Sequence, residues 1–211
     1  MKKIKVNILD YGFGNIKSLS NCLKFLNFEV SFYSKNKNNF DILIIPGIGS
    51  YNNAMKKLGK INFLKTIKKL KKEKKIIGIC LGMQIMLDVG YENQKTKGLG
   101  LLKGQVSKIK FEKKLPLVGY FPVKFLKNKL ISLTNFNMNK FYHVHSFEAK
   151  SVSVKNVLAY TYYNNYKYIS AVYSDNLIGF QFHPEKSGII GIRLLKSIIN
   201  QLMHKNENQI K

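Results

Sequence analysis

Residues 75–84 read Lys-Ile-Ile-Gly-Ile-Cys-Leu-Gly-Met-Gln, and this stretch decides the fold of the chain. The apolar run 76–79 predicts a short buried strand, and residues 83–89 predict an apolar helix that follows a sharp turn. Cys80 stands at the turn between two glycines at two-residue spacing. This is the pattern of a nucleophile elbow, with cysteine in place of the usual serine.

The glycines of this pattern, Gly78 and Gly82, have a steric reason. A nucleophile on such a turn has strained backbone angles, and side chains beside it would clash with neighbouring chain. The turn lifts the Cys80 sulfur above the sheet edge and aims the first helix amides at the same point. Those amides can hold an oxyanion and favour a thiolate. The pattern by itself also fits a buried structural thiol, because free cysteine is among the most buried residue types.

A second stretch, residues 179–185, reads Gly-Phe-Gln-Phe-His-Pro-Glu. His183 has the chemistry of a base that takes the thiol proton, and Glu185 that of a carboxylate that orients the imidazole. Residues two apart share a face of an extended segment, so the carboxylate can reach the ring. By itself, His183 also fits a surface histidine before a turn at Pro184. The cysteine elbow and the His-Pro-Glu motif together are more specific, and they predict Cys80, His183 and Glu185 as catalytic residues.

At these residues the chain resembles the class I (triad) glutamine amidotransferases, and more narrowly the glutaminase subunits of imidazole glycerol phosphate synthases. The resemblance covers nearly the whole chain. Four segments in the right order carry it: 10–15 (Asp-Tyr-Gly-Phe-Gly-Asn), 46–49 (Pro-Gly-Ile-Gly), 78–84, and 182–188 (Phe-His-Pro-Glu-Lys-Ser-Gly).

The resemblance implies hydrolysis of L-glutamine to glutamate and ammonia, with no cofactor and no metal. The ammonia would pass to a separate (β/α)8-barrel synthase subunit, forming a heterodimer that makes imidazole glycerol phosphate in histidine biosynthesis. The implied oxyanion donors are backbone amides of Leu81 and of the loop formed by Gly47, Ile48 and Gly49. The implied glutamine-binding residues also include Gln84, His145, Ser146 and Phe147.

Two of these residues have plain alternatives. Gln84 also fits a polar residue at the start of a helix. His145 alternates with His143 along one predicted strand, and the two also fit ordinary strand residues. A zinc site formed by this pair with Cys80 is disfavoured, because the spacing matches no common cluster and a metal would occupy the nucleophile.

Around the elbow, the pattern predicts an α/β fold with a doubly wound, mostly parallel, flavodoxin-like sheet. Alternating strands and helices indicate parallel strands with the site at their carboxyl ends. The predicted strands are 4–9, 29–33, 41–45 and 76–79, and the predicted helices between them are 16–26, 52–58 and 61–72.

The second half predicts additional antiparallel strands. Turn residues such as Asn164-Asn165 and Asp175-Asn176 separate short alternating or aromatic-rich runs, as in hairpins. The predicted strands are 106–111, 117–126, 141–148, 157–162, 168–173 and 177–182. A helix at 191–203 and a frayed tail at 206–211 follow. The 211 residues are expected to form one glutamine amidotransferase domain, 1–211.

The net charge of +25 raises the possibility of nucleic-acid binding. Arg193 is the only arginine, however, whereas phosphate and base recognition favours arginine forks. The dense lysine run at 65–75 contains apolar residues at helical spacing, which indicates a helix with one buried stripe and a solvated face. The sequence therefore predicts no nucleic-acid partner. It also predicts no membrane span and, with Cys22 and Cys80 as the only cysteines, a reducing cytoplasm.

One segment departs from the family pattern. Residues 116–121 read Pro-Leu-Val-Gly-Tyr-Phe, where the family usually has Pro-His-Met-Gly-Trp-Asn, and His143 replaces a usual phenylalanine. That segment helps to face the synthase subunit in the family, so the identity of the partner stays open. The alternatives are a paralogous subunit that supplies ammonia for sugar amidination in surface-polysaccharide biosynthesis, a stand-alone cysteine hydrolase, and a non-enzymatic regulatory or nucleic-acid-binding module.

Overall fold

A computed structural model of the chain describes residues 3–34, 39–110, 115–126 and 133–204. The strands and α-helices of this described part follow in chain order: β1 (Lys5–Ile8), α1 (Ile16–Phe25), β2 (Glu29–Phe32), β3 (Ile42–Ile45), α2 (Tyr51–Lys60), α3 (Phe63–Glu73), β4 (Lys75–Ile79), α4 (Leu81–Ile85), β5 (Val89–Gly90), β6 (Thr96–Lys97), β7 (Gln105–Lys108), β8 (Leu117–Phe125), β9 (Lys140–His145), β10 (Phe147–Lys150), β11 (Val157–Tyr163), β12 (Tyr166–Ser174), β13 (Leu177–Phe180) and α5 (Gly188–His204).

The strands form one mixed sheet whose longest path runs β2-β1-β3-β4-β13-β12-β10-β7-β5-β6. From β2 to β13 every neighbouring pair is parallel, whereas β13 pairs antiparallel with β12, and β12 with β10. Strands β11, β8 and β9 extend the sheet from β12 through antiparallel pairs. The predicted α/β fold, mostly parallel first and antiparallel in the second half, is therefore confirmed.

Helices cover both faces of the parallel strands. Along β3, Ile42 and Ile44 pack into the apolar cluster that contains the buried side chains of α1 and α5. Leu43 and Ile45, which point the other way, pack into the cluster that contains those of α2 and α3. All four are fully buried, which explains why β3 reads as a continuous apolar run rather than an alternating one.

The turns predicted in the second half are present. Asn164 and Asp175 both have positive φ, the backbone conformation that asparagine and aspartate tolerate best among residues with a side chain. They close the β11–β12 and β12–β13 hairpins. The second turn brings β13 back beside β4, where the two strands run parallel.

Several predicted limits differ from the structure, and in two elements the pairing of the backbone shows why. The helix after the elbow ends at Ile85 rather than at Val89. The carbonyls of Ile85, Met86 and Leu87 accept hydrogen bonds from amides of the 99–102 segment, so no helix can continue through them. The strand predicted at 141–148 is two strands that break at Ser146, because β9 pairs with β8 whereas β10 pairs with β7 and β12.

The predicted tail at 206–211 lies outside the described residues. Within the described part of the chain, no helix has both the length and the apolarity that crossing a membrane requires.

Candidate active site

The elbow forms as a sharp turn between β4 and α4. Cys80 is the residue before α4 and has φ 53° and ψ −111°, a strained conformation for a side-chain-bearing residue. Its amide donates to the Phe180 carbonyl of β13 at 2.7 Å, which holds the turn against the neighbouring strand. A Cβ on Gly82 would lie 1.8 Å from the Ile45 carbonyl oxygen, so only glycine allows α4 to approach the end of β3 this closely.

His183 and Glu185 meet just beyond β13. The Nδ1 atom of His183 lies 2.8 Å from Oε1 of Glu185, and both side chains are buried. The His183 backbone is fixed as well, because its amide donates to the Tyr142 carbonyl at 2.9 Å and its carbonyl accepts from the Ser187 hydroxyl at 2.6 Å. The same hydroxyl accepts from the Tyr142 amide at 2.9 Å. Sequence reasoning gave Tyr142 and Ser187 no role, because this clasp joins β9 to a turn far along the chain.

The pairing of β4 with β13 brings the thiol and the imidazole together. Gly78 lies opposite Gly179 and Ile79 opposite Phe180, so Cys80 and the residues after Phe180 leave the sheet at the same edge. Burial lowers the pKa of His183, but its interactions with Cys80 and Glu185 raise it by more, to about 10. The site therefore favours a charged imidazolium beside the Cys80 sulfur.

Cys80 lies in the wall of a cavity of about 270 Å³. Seven of the eight predicted substrate-binding residues line it, and Gly47 is the one outside the lining. Tyr142, Val144 and Lys186 also contribute, although sequence reasoning had not assigned them to a site. The complete lining is Ile48, Gly49, Cys80, Leu81, Gln84, Tyr142, Val144, His145, Ser146, Phe147 and Lys186.

The amide of Leu81 already has a partner. It donates to the carbonyl of Gly47 at 3.3 Å, so this loop presents an acceptor to the first helix amide. The preceding Pro46 carbonyl accepts from the buried Tyr11 hydroxyl at 2.8 Å, which anchors the start of the loop. With this orientation of the Gly47 peptide, Leu81 has no free N–H for an oxyanion.

Gln84 uses its side-chain amide nitrogen within the protein. The Nε2 atom donates to the Phe147 carbonyl at 3.0 Å and to Oε1 of Gln181 at 3.1 Å. Gln181 is fully buried, and its own Nε2 lies 3.8 Å from the Cys80 sulfur. Sequence reasoning missed Gln181, yet a signal was present, because it lies two residues before His183 in an extended segment and so shares a face with it.

The two histidines of β9 form a buried pair. Nδ1 of His145 donates to the Phe147 carbonyl at 2.9 Å, which leaves its Nε2 as an acceptor 3.4 Å from Nδ1 of His143. That Nδ1 is also 3.1 Å from the Tyr168 hydroxyl. Burial is the main cause that lowers the pKa of His145, to about 4. The charge of His183 adds to this shift, whereas the hydrogen bond to Phe147 opposes it. Burial and the charges of His145 and His183 lower the pKa of His143 well below its usual value.

This pairing leaves both histidines neutral at ordinary pH. Among the residues that the structure describes, no group of three or more histidine, cysteine, aspartate or glutamate side chains could hold a metal ion.

The segment that departs from the family pattern lies on β8, opposite β9. Val118 and Tyr120 are more than half exposed, and the Tyr120 hydroxyl donates to the Lys186 carbonyl at 3.0 Å at the edge of the cavity. Leu117 is buried instead. Phe121 packs its ring against His143, with 5.6 Å between the ring centroids. The altered segment therefore changes both the outer surface beside the cavity and the packing behind it.

The chain is similar to known proteins over most of its length. The family model for class-I glutamine amidotransferases matches residues 7–197. Three relatives each carry the name imidazole glycerol phosphate synthase subunit HisH. They come from Aquifex aeolicus (35% identical, 90% of this chain and 93% of the relative), Lactococcus lactis subsp. lactis (36%, 94% and 99%) and Methanococcus maripaludis (38%, 93% and 99%; subunit HisH 2).

Solved structures show the same fold at lower identity. PurLQS from Thermotoga maritima superposes with a TM-score of 0.71 at 20% identity, over 100% of both chains. A glutamine amidotransferase crystal structure superposes with a TM-score of 0.72 at 18% identity, over 94% of this chain and 98% of that one.

Proposed function

This chain belongs to the class-I glutamine amidotransferase family, and on that premise we propose that it is the glutaminase subunit of an imidazole glycerol phosphate synthase. The observation that carries the proposal is the buried group of Cys80, His183 and Glu185 beside one cavity. Three relatives that carry the name of this subunit match at least 90% of the chain at 35% identity or more, which supports this subunit among the members of the family.

In the proposed reaction, the Cys80 thiolate attacks the side-chain amide carbon of glutamine and forms a tetrahedral oxyanion. The His183 imidazolium gives its proton to the departing nitrogen, ammonia leaves, and a γ-glutamyl thioester to Cys80 remains. Neutral His183 then takes a proton from water, which attacks the thioester and releases glutamate. Glu185 keeps Nδ1 of His183 as a donor and stabilises the charged ring at each stage.

The substrate would lie along the cavity with its amide at Cys80. His145, Ser146 and Phe147, which also line the cavity, supply backbone groups that can position the amino-acid end. Because the Nε2 atom of Gln84 is held by Phe147 and Gln181, only its oxygen can face a substrate. We expect this oxygen to accept a hydrogen bond from glutamine.

The position of the Gly47 carbonyl supports a proposed need for a partner subunit. Since it occupies the Leu81 amide, the oxyanion would lack a donor that is typically worth about 3 kcal/mol. Rotation of the Gly47–Ile48 peptide would withdraw this carbonyl and turn the Ile48 amide toward the site, a motion that the flanking glycines permit. A (β/α)8-barrel subunit that docks over the strands' carboxyl ends, against residues 13–15 and 117–121, would drive this change.

The proposal places the chain in a cytoplasmic heterodimer. Cys22 and Cys80 are both free, as a reducing compartment requires, and Cys80 must stay reduced to act. Transfer of ammonia directly to the partner also prevents its conversion to ammonium in water, which would remove its nucleophilicity.

The test is glutaminase kinetics of the chain alone, with the histidine-pathway barrel of the same organism, and with that barrel plus its ligand. We expect slow hydrolysis by the chain alone and strong activation by the liganded barrel. A histidine-pathway barrel from another organism should activate less, because residues 117–121 differ from the family pattern. Full activity of the chain alone would indicate a stand-alone hydrolase, and activation only by a barrel of a sugar-amidation system would change the acceptor.

A further inference from the structure

Gln181 is a buried polar residue that contacts Cys80. The reaction described above does not use Gln181. Its side chain is fully buried, and its amide nitrogen lies 3.8 Å from the Cys80 sulfur. Its backbone amide donates to the Ser170 carbonyl of β12 at 2.9 Å, so the main chain is fixed at this point. The side chain is therefore held between the sheet and the sulfur.

The hydrogen bonds determine which end of the Gln181 amide faces Cys80. The Phe147 carbonyl can only accept, so the Gln84 atom that contacts it must be the nitrogen. The same nitrogen contacts Gln181, which must present its oxygen there. The Gln181 nitrogen then faces the sulfur. The Phe147 carbonyl thus sets the direction of the whole series of hydrogen bonds, which runs from Phe147 through Gln84 and Gln181 to Cys80.

The sulfur has a different partner in each protonation state. As a thiol, Cys80 can donate to the Val144 carbonyl, whose oxygen lies 3.9 Å away. As a thiolate it can no longer donate, and this carbonyl opposes its charge. Besides the His183 imidazolium, the Gln181 N–H is then a side-chain donor that can stabilise the thiolate, in a site where Cys80 is only 4% exposed to water.

We propose that Gln181 is a positioning residue that stabilises the Cys80 thiolate through its side-chain N–H, and that Gln84 keeps the Gln181 amide in the required direction. The inference rests on the proposed function in one respect only, namely that Cys80 is the nucleophile. In this role Gln181 donates a hydrogen bond to the Cys80 sulfur itself. It is distinct from the donors that hold the oxyanion and from the imidazole that carries the proton.

The test is the pH dependence of Cys80 alkylation by iodoacetamide in the isolated chain, followed by mass spectrometry of the Cys80 peptide. Gln181→Met removes the donor at similar length, and Gln181→Glu keeps the shape but replaces the donor by an acceptor. We expect the midpoint of the alkylation rate to rise by about one pH unit in Gln181→Met and by more in Gln181→Glu. Gln84→Met should raise it by less, because Gln181 keeps its N–H but loses the bond that directs it.

Cys22 provides a matched internal control in every variant. It is buried in α1, and burial together with the charge of Glu185 raises its pKa to about 11. Slow alkylation of Cys22 at the wild-type rate reports an intact fold. If Gln181→Met does not fold, the isosteric Gln181→Glu and the separate Gln84→Met variant supply the measurement.

The role assigned to a replaced residue would be overturned if its variant alkylates Cys22 as slowly as the wild type and leaves the midpoint of Cys80 alkylation unchanged. A raised midpoint should be matched by an equal shift of the acid limb of kcat/KM for glutamine, which a merely structural role of Gln181 would not produce. Failure of the proposed function would instead appear as glutamine hydrolysis that survives Cys80→Ala, whatever the alkylation profile.

Discussion

Replacing His143 by phenylalanine should make the folded chain less sensitive to acid. His143 is fully buried, and the groups that face it are His145, His183 and the Tyr168 hydroxyl. None of them gives an added proton a negatively charged partner. The folded state therefore keeps this imidazole neutral, whereas the unfolded chain protonates it at an ordinary pKa of about 6.5.

The size of the effect follows from proton linkage. Because the folded-state pKa of His143 lies well below the unfolded one, the unfolded chain binds one more proton below about pH 6.5, and stability falls with the pH. From about pH 7 to about pH 5 this costs the folded state about 2 kcal/mol for each such histidine. His145, whose pKa is about 4, contributes a similar loss that the variant retains. The variant should lose about 2 kcal/mol less than the wild type over that interval.

The assay is equilibrium urea unfolding of both proteins at the two pH values. Any effect of the substitution that does not depend on pH, including the loss of the Tyr168 contact, cancels in the difference between them. Phe141→Leu, a change in the neighbouring core position of β9, is the control and should leave the pH dependence as in the wild type. Equal losses in the wild type and His143→Phe would refute the reasoning, because they would mean that the folded state protonates His143.

Three further outcomes follow from the site. Cys80→Ala should abolish glutamine hydrolysis but leave ammonia-dependent synthesis by the partner subunit intact, as measured by separate assays of the two activities. Glu185→Gln should lower kcat by roughly 10²- to 10⁴-fold, less than His183→Ala does, and a silent Glu185→Gln at several pH values would make Glu185 structural only. Gly82→Ala should destabilise the fold by at least about 2 kcal/mol in thermal unfolding, because its Cβ would overlap the Ile45 carbonyl.

The sequence predicts those parts of the molecule that depend on local chemistry. The first four strands and the helices between them lie within two residues of their predicted limits, because buried parallel strands read as apolar runs and each is bounded by a loop. The elbow at Cys80 could also be predicted from local chemistry, because it depends on the spacing of the glycines and on the strain of one residue. The end of α4 could not be predicted, because the carbonyls of Ile85 to Leu87 are taken by residues from a later segment.

Long-range pairing accounts for what the sequence did not indicate. The two-residue spacing from His183 is the one local signal for Gln181, and its contact with the Cys80 sulfur follows only once β13 is known to lie beside β4. The direction of the Gly47 carbonyl could not be predicted from the sequence either. Its residue type permits the peptide to point either way, and only the hydrogen bond to Leu81 tells which way it points here.

The arrangement of strands separates the chemistry of the site from its substrate wall. Three adjacent parallel strands end at one edge: β3 leads to the Gly47 loop, β4 to Cys80, and β13 to His183. Another part of the cavity wall, Tyr142 and residues 144–147, belongs to β9, β10 and the break between them in the antiparallel half. Side-chain changes in β9 and β10 could therefore alter how the proposed substrate is held while β3, β4 and β13 still carry the 46–49 loop, Cys80 and His183. Besides the pairing of β12 with β13, the clasp of Tyr142 to His183 connects the two halves, so a change in the antiparallel half can reach the predicted catalytic histidine there.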